Sequence, residues 1–251
     1  MDAQVVDLIT AKPLLSSINW SFSSPFTVGR SGVQLFDCRK HHWFPATFIP
    51  EIPYTLIEIL SKPGAVVYDP FGGIGTTFFQ ALLLGRFPYT TDISAVSTLY
   101  MRSLWQLFNP DVDLDAVGKC FTQITRDYEP SHDYSGKFSN SDVKFEEMKF
   151  WFAPGTYNQI LYLIWRISSL SDVGCKAALT ICISASLQSC SAQGRGWGCI
   201  ADNVKPKPEQ LSVEKDAFER IGRGLSILLR DVRNTREAVA PELKDFLRTT
   251  L

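Results

Sequence analysis

Histidine is scarce in this sequence, and cysteine is scattered. Three histidines stand among 251 residues, and only His41 and His42 are neighbours. Cys38, Cys120, Cys175, Cys182, Cys190 and Cys199 fall at irregular spacing, with no Cys-x-x-Cys pair. A zinc site needs tighter ligand clustering, so no metal site is expected, and the six thiols are read as reduced and mostly buried. An excess of either charge is also missing. The 25 Lys and Arg against 26 Asp and Glu leave a net charge of -1. That balance argues against a protein that coats a polyanion, while leaving room for a local basic cleft.

Long apolar runs are absent too. Ala177 to Leu187, the most apolar stretch, is broken by Thr180, Ser184 and Ser186 and is too short to span a bilayer. Met1-Asp2-Ala3-Gln4 lacks the basic start and long apolar core of a signal peptide. No membrane association and a cytoplasmic location are therefore expected. There is no internal repeat, no low-complexity tract, and no Pro-Pro dipeptide among 14 prolines. With 45% hydrophobic and 20% charged residues, the chain has material for one substantial core, or a core with an appendage.

What is present centres on Tyr68-Asp69-Pro70-Phe71-Gly72-Gly73-Ile74-Gly75-Thr76-Thr77. Before it, Ala65-Val66-Val67-Tyr68 is a short β-branched run that reads as a buried strand. After it, Phe78 to Leu84 has a helical pattern, closed by Gly85 placed like a C-cap. Glycines between a strand and a helix let the backbone approach a ligand, and the helix N-terminus offers N–H groups with no partner of their own.

Around this stretch the chain divides into three parts. Residues 1–40 read as an arm anchored by Trp20 and Phe22. Residues 41–110 read as an α/β core: a helix through Leu56 and Leu60 opened by Pro53, the first strand, the glycine turn and its helix, and a second strand ending at Asp92. A helix capped by Ser94 then runs from Ala95 to about Phe108. Residues 111–251 read as largely helical. Segments there run over 113–127, from Pro154 to about Leu170, from the Asp172 cap to about Gln188, as one long amphipathic helix after Pro206 and Pro208, and from Pro241 to Leu247.

The glycine turn discriminates between cofactors. A P-loop needs Lys-Ser/Thr after its last glycine, and Gly75 is followed by Thr76-Thr77. A dinucleotide fingerprint aligned on Gly73 and Gly75 wants a small residue where Phe78 stands. A strand ending in an acidic residue, followed by Pro-Phe-x-Gly-x-Gly and a helix, is the pattern expected for S-adenosylmethionine. Asp69 suits the cofactor's ammonium, and the N–H groups of Gly75, Thr76 and Thr77 suit its carboxylate. Asp92 can accept both ribose hydroxyls, and Ile93 can cover one adenine face. A structural glycine turn with a helix-capping Asp92 is the bland alternative.

These residues resemble a family. Asp69-Pro70-Phe71-Gly72-Gly73-Ile74-Gly75-Thr76-Thr77, then Ala81-Leu82-Leu83-Leu84-Gly85-Arg86 and Thr91-Asp92-Ile93, are similar to the DNA methyltransferases that modify exocyclic amino groups of adenine or cytosine. His42-Trp43-Phe44-Pro45-Ala46-Thr47-Phe48-Ile49-Pro50-Glu51 resembles the segment that closes over the cofactor in some members, with Thr47 where these carry a basic residue. Ile18-Asn19-Trp20 and Trp151-Phe152 are similar to the same subgroup. The resemblance implies a Rossmann-like class I methyltransferase core with a largely helical second half, S-adenosyl-L-methionine as cofactor, and DNA as substrate in a restriction-modification setting. Phe44, Pro45, Ala46, Thr47, Asp69, Pro70, Phe71, Gly73, Gly75, Thr76, Thr77, Asp92 and Ile93 are then the cofactor-binding residues.

One family feature is missing. These enzymes carry an Asp/Asn/Ser-Pro-Pro-Tyr/Phe/Trp tetrapeptide whose polar residue and prolyl carbonyl hold the target amino group while its ring stacks the flipped base. Asn109-Pro110-Asp111 lacks the second proline and the ring, and reads as a helix stop. No catalytic residue is therefore assigned. The chain is expected to be the cofactor-binding half of a split methyltransferase, active with a second subunit that supplies the tetrapeptide. The alternative is a non-catalytic S-adenosylmethionine-binding module with a structural or regulatory role. Arg195 and Trp197 in the Gly194 to Gly198 loop, with Lys205 and Lys207, are candidate nucleic-acid contacts, set against an ordinary glycine-rich turn. The arginines from Arg220 to Arg236 are interleaved with acids and read as a solvated face.

Overall fold

The computed structural model describes residues 36–138, 145–193, 205–239 and 241–248, together with 12–13 and 15–16. It resolves into two units. One takes in the chain up to Asp111 and again from Arg230 onward, and the other is Val112–Leu229.

The first unit holds the strands. A short 3-10 turn, Cys38–Lys40, is capped by the Asp37 carboxylate, which accepts from the Arg39 N–H. Helix α1 (Glu51–Leu60) follows, with Pro53 in its first turn, where a missing N–H costs nothing. Then come β1 (Val66–Asp69), α2 (Thr76–Leu83), β2 (Phe87–Thr90) and α3 (Ala95–Phe108). The two strands pair in parallel, Val66 opposite Phe87 and Tyr68 opposite Tyr89, and α2 is the crossover that packs against both. Gly85, at φ 78°, turns the chain from α2 into β2, and the N–H of Arg86 reaches back to the carbonyl of Ala81. The Arg86 side chain is buried, and it joins the ends of α1 and α2 by donating to the carbonyls of Ser61 and Leu84. Phe36, Phe79 and Phe108 form an aromatic cluster at the centre, with centroids 4.8 to 5.2 Å apart.

Val112–Leu229 is helical. It contains α4 (Leu114–Arg126), the short α5 (Phe145–Met148), α6 (Pro154–Ser168), α7 (Val173–Cys190), α8 (Pro208–Leu211) and most of α9 (Ala217–Ala238). Asp113 and Asp172 cap α4 and α7 through their side chains. Glu214 caps α6, accepting from Gly155 and Thr156 N–H at 2.9 and 2.8 Å. Helix α7 packs against both α4 and α6, burying Cys175, Ala178, Leu179 and Cys182.

Five sequence expectations change here. The first strand, expected to be buried, is largely exposed, with Val66 at 54% and Tyr68 at 60%. Residues from Arg230 onward, including α10 (Pro241–Leu247), pack with the first unit: the Arg236 guanidinium donates to the carbonyl of Leu107, and Phe246 stacks edge-on against Trp105. The single helix read after Pro208 is interrupted between Leu211 and Ala217, where Asp216 caps the longer piece. The apolar run of α7 extends to 18 residues, long and apolar enough to cross a membrane by length and composition. Half of it is nevertheless buried in the protein, as in a core helix. Finally, Cys120 and Cys175 are joined as a disulfide, against the expectation of six reduced thiols. Packing of α4 on α7 brings these two residues together across 55 positions, which sequence spacing does not reveal. Cys38, Cys182 and Cys190 are free and buried, and burial pushes the Cys182 thiol up to about 12.

Candidate cofactor-binding site

The parallel strands end side by side, so Asp69 at the end of β1 and Asp92, two residues beyond β2, flank one loop. A dense set of hydrogen bonds shapes that loop. Asp69 accepts from the N–H of Phe71 at 3.0 Å, turning the chain sharply. Gly72 donates to the carbonyl of Thr91 at 3.0 Å, and Gly75 to that of Gly72 at 2.7 Å. Asp92 clasps the loop from the other strand. One of its oxygens accepts from Gly73 N–H at 2.8 Å, and the other accepts from Ser94 N–H, also at 2.8 Å.

Glycine is required at two of these positions. A Cβ on Gly72 would lie 1.6 Å from Thr90 Oγ1, a hydroxyl held by the carbonyl of Asp69. Gly75 has φ +86°, and a Cβ there would lie 2.1 Å from Met101 Sδ. Gly75 also serves as the backbone N-cap of α2, with no capping side chain, so the first-turn N–H groups of Thr76 and Thr77 find no acceptor within the helix. Its own N–H is taken by Gly72, which removes Gly75 from the expected carboxylate donors and leaves Thr76 and Thr77.

The segment before α1 lies on this loop. The Phe44 ring comes within 3.7 Å of where a Cβ on Gly73 would stand. Ala46 adopts φ 58°, a left-handed conformation uncommon for a residue with a side chain, and Thr47 Oγ1 donates to the Phe44 carbonyl at 3.4 Å. Pro45, Ala46 and Pro70 are exposed, while Phe44 and Thr47 are half-buried. Phe71 and Ile93 present almost their whole side chains to solvent, at 87% and 104%. An isoleucine this exposed beside a strand-end carboxylate is a free apolar platform.

A cavity of about 600 Å3 runs along β2; of the expected cofactor-binding residues, Gly73 and Asp92 line it and the others do not, and it is bounded by Met101, Arg102 and Trp105 of α3 and by Phe246 of α10. Sequence reading missed these four. Thr98, Met101, Arg102 and Trp105 follow Asp92 at helical spacing and share one face of α3, a signal within reach of inspection. Phe246 carries no such signal, because only folding brings it near. Behind the Phe44 segment, His41 Nε2 lies 3.3 Å from Asp231 Oδ2, with both residues buried, and Phe36 stacks on the imidazole. Burial holds His41 below its usual pKa, more strongly than the neighbouring Asp231 raises it.

Arg195 and Trp197 lie outside the described residues. Lys205 and Lys207 belong to the helical unit, where the Lys205 ammonium sits 4.0 Å from the centre of the Phe150 ring.

Residues 18–98 match the family model described as DNA methylase. The chain is also similar to the Type II methyltransferase M.MvaI of Kocuria varians, 28% identical over 116 residues. That alignment covers 45% of this chain and 25% of the relative, so the chain spans about a quarter of that protein's length. No solved structure matches. The matched region takes in the Phe44 segment, the glycine loop and Asp92, and over these residues the chain is similar to the DNA methylases.

Proposed function

We propose that this chain binds S-adenosyl-L-methionine in a Rossmann-like site and forms the cofactor-binding half of a DNA methyltransferase acting on the exocyclic amino group of adenine or cytosine. The observation that carries the reading is the clasp of Asp92 on Gly73. It ties the glycine loop to the β2 side, next to a cavity of about 600 Å3 that Gly73 and Asp92 line, with carboxylates from two adjacent strand ends flanking the loop. Asp92 has four lone-pair sites and spends two on backbone N–H groups, leaving two for a ribose diol. Asp69 takes the ammonium, and the free N–H groups of Thr76 and Thr77 take the carboxylate. Ile93 and Phe71 supply apolar cover, and Phe44 to Thr47 close the site from the other side.

When bound, the cofactor supplies an activated methyl group on a sulfonium. The residues of this chain bind, orient and exclude water, so their contribution is proximity rather than acid–base chemistry. The acceptor tetrapeptide is absent from these 251 residues and comes from outside them. The part from 111 onward then serves the partner or DNA, with Arg195, Trp197, Lys205 and Lys207 as candidate contacts. The setting is a DNA modification system.

Calorimetry tests the reading first. S-adenosylmethionine binds the wild-type chain, and Asp92→Ala and Gly73→Val weaken it strongly; equal affinity in all three defeats the proposal. Methyl transfer to DNA is then measured with and without a subunit carrying the tetrapeptide. Transfer by this chain alone sinks the split-enzyme part. Binding without transfer in either case favours the non-catalytic module.

A further inference from the structure

We propose that His41 and Asp231 form a proton-sensitive latch that holds the Phe44 segment on the glycine loop and so sets how tightly the cofactor binds. This rests on the cofactor reading above and adds a control on the same site. The geometry behind it is a buried imidazole facing a buried carboxylate, three residues before Phe44.

The chain leading into the segment is fixed from several sides. The Phe36 carbonyl accepts from the buried Gln80 side chain of α2 at 2.8 Å. The Cys38 carbonyl accepts from the Tyr100 hydroxyl of α3 at 3.2 Å, and from the His41 and His42 N–H groups at 3.0 and 3.2 Å. None of these contacts changes charge near neutral pH. The His41 side chain can. It stacks on the Phe36 ring, with centroids 5.2 Å apart, and faces Asp231 of α9. Its Nε2 stands 3.3 Å from Asp231 Oδ2 without the alignment of a hydrogen bond, and its side chain is 2% exposed. The other Asp231 oxygen accepts from Arg230 Nε at 2.9 Å.

Such a pair responds to protons. Charging an imidazole that is removed from water is costly, and a carboxylate without an aligned bond offsets only part of that cost. Asp231 and Asp37 favour the charged ring, Lys40 and Arg230 disfavour it, and burial outweighs the two acids. The seated segment therefore keeps His41 neutral. A ring that takes up a proton gains by reaching water, which requires the stretch from 41 to 47 to leave the body of the unit. Release also relieves Ala46, held at φ 58° while seated. The released stretch carries an ordinary histidine, with a pKa of about 6.5. Above that pH affinity is full. Below it apparent affinity falls with the seated fraction, by at most about tenfold per unit.

Calorimetry with S-adenosylmethionine on the full chain tests the latch in wild type, His41→Gln and Asp231→Asn. The range runs from about pH 7.5 to 5.5, above that of ordinary carboxylates, with circular dichroism checking the fold at each step. Wild-type affinity is expected to fall at least about threefold across it, and that of His41→Gln to stay within about 1.5-fold. Asp231→Asn keeps the fall but displaces it to lower pH, because the charged ring loses its carboxylate. A pair with a structural role alone shifts affinity by one factor at every pH. Proton NMR supplies a reading that needs no variant: the His41 ring, one of three histidines, titrates at lower pH with the cofactor than without it. A flat wild-type profile, an equal fall in His41→Gln, or a His41 titration unmoved by the cofactor overturns the latch and leaves cofactor binding standing. Absence of binding at pH 7.5 overturns the cofactor reading, and the latch with it.

Discussion

Asp92 shapes the loop and is proposed to bind a ribose, and one substitution separates the two roles. Its carboxylate accepts two backbone N–H groups at 2.8 Å, from Gly73 and Ser94, and is proposed to accept the ribose hydroxyls with its remaining lone pairs. Asp92→Asn keeps the shape but offers one acceptor oxygen, so one backbone N–H meets an NH2 group instead. Leaving that donor unsatisfied costs about 1–3 kcal/mol of folding stability, read as a lower denaturation midpoint. The same variant weakens ribose recognition, and a hydrogen bond to a charged group is worth about 1.5–3 kcal/mol. The two effects separate in a cycle using S-adenosylhomocysteine and its 2′-deoxyadenosyl counterpart against wild type and variant. Loop damage falls equally on both ligands and cancels. Wild type is expected to prefer the intact ribose by about ten- to a hundredfold, and Asp92→Asn by less than about threefold. If calorimetry gives the same preference in both proteins, Asp92 is a loop clasp only, and the assignment of the ribose to it is refuted.

Gly75→Ala forces a left-handed alanine and drives its Cβ toward buried Met101, together costing about 2–4 kcal/mol in denaturant melts. Adding Met101→Ala should leave the backbone part of that loss and no added clash, and a loss below about 0.5 kcal/mol in the single variant contradicts the geometry. His41, buried and held below the usual 6.5, stays neutral in the fold while the unfolded chain protonates. Stability is therefore lost as pH falls below about 6.5, by up to about 1.4 kcal/mol per unit, and His41→Gln should flatten that limb of the stability profile. The Cys120–Cys175 link spans 55 positions and restricts the unfolded chain by about 4 kcal/mol, so reductant or Cys120→Ser should lower the midpoint accordingly. A count of six free thiols in unreduced, denatured protein contradicts the link.

Much of the loop geometry at the candidate site was legible because its signals are local. Asp69, the glycines and Asp92 are separated by a crossover whose length follows from one helix and two short strands, so spacing along the chain maps onto neighbouring strand ends. Capping is equally local, and Ser94 and Asp172 bind the N–H groups that their positions imply. What escaped depends on long-range packing. Arg236 reaches the carbonyl of Leu107 across 129 positions, and burial there lowers its pKa to about 10, yet its sequence neighbours are surface charges. Cys120 and Cys175 meet only because α4 and α7 pack. The loss of the Gly75 N–H is subtler still: a 2.7 Å bond to Gly72, within the loop itself, is decided by backbone angles that the residue names alone leave free.

Exposed apolar side chains of the first unit stand at both ends of β1. Phe71 and Ile93 stand at the C-terminal ends of the strands, beside the loop, where a bound nucleoside can shield them. Val66 lies at the opposite end of β1, three residues before Asp69 and about 10 Å away along an extended strand. A small cofactor seated on Asp69 and Asp92 cannot reach that far and cover the strand's face as well. Tyr68 ties its hydroxyl to Thr91 at 3.1 Å, which keeps its ring against the sheet and adds to a surface only a large partner can bury.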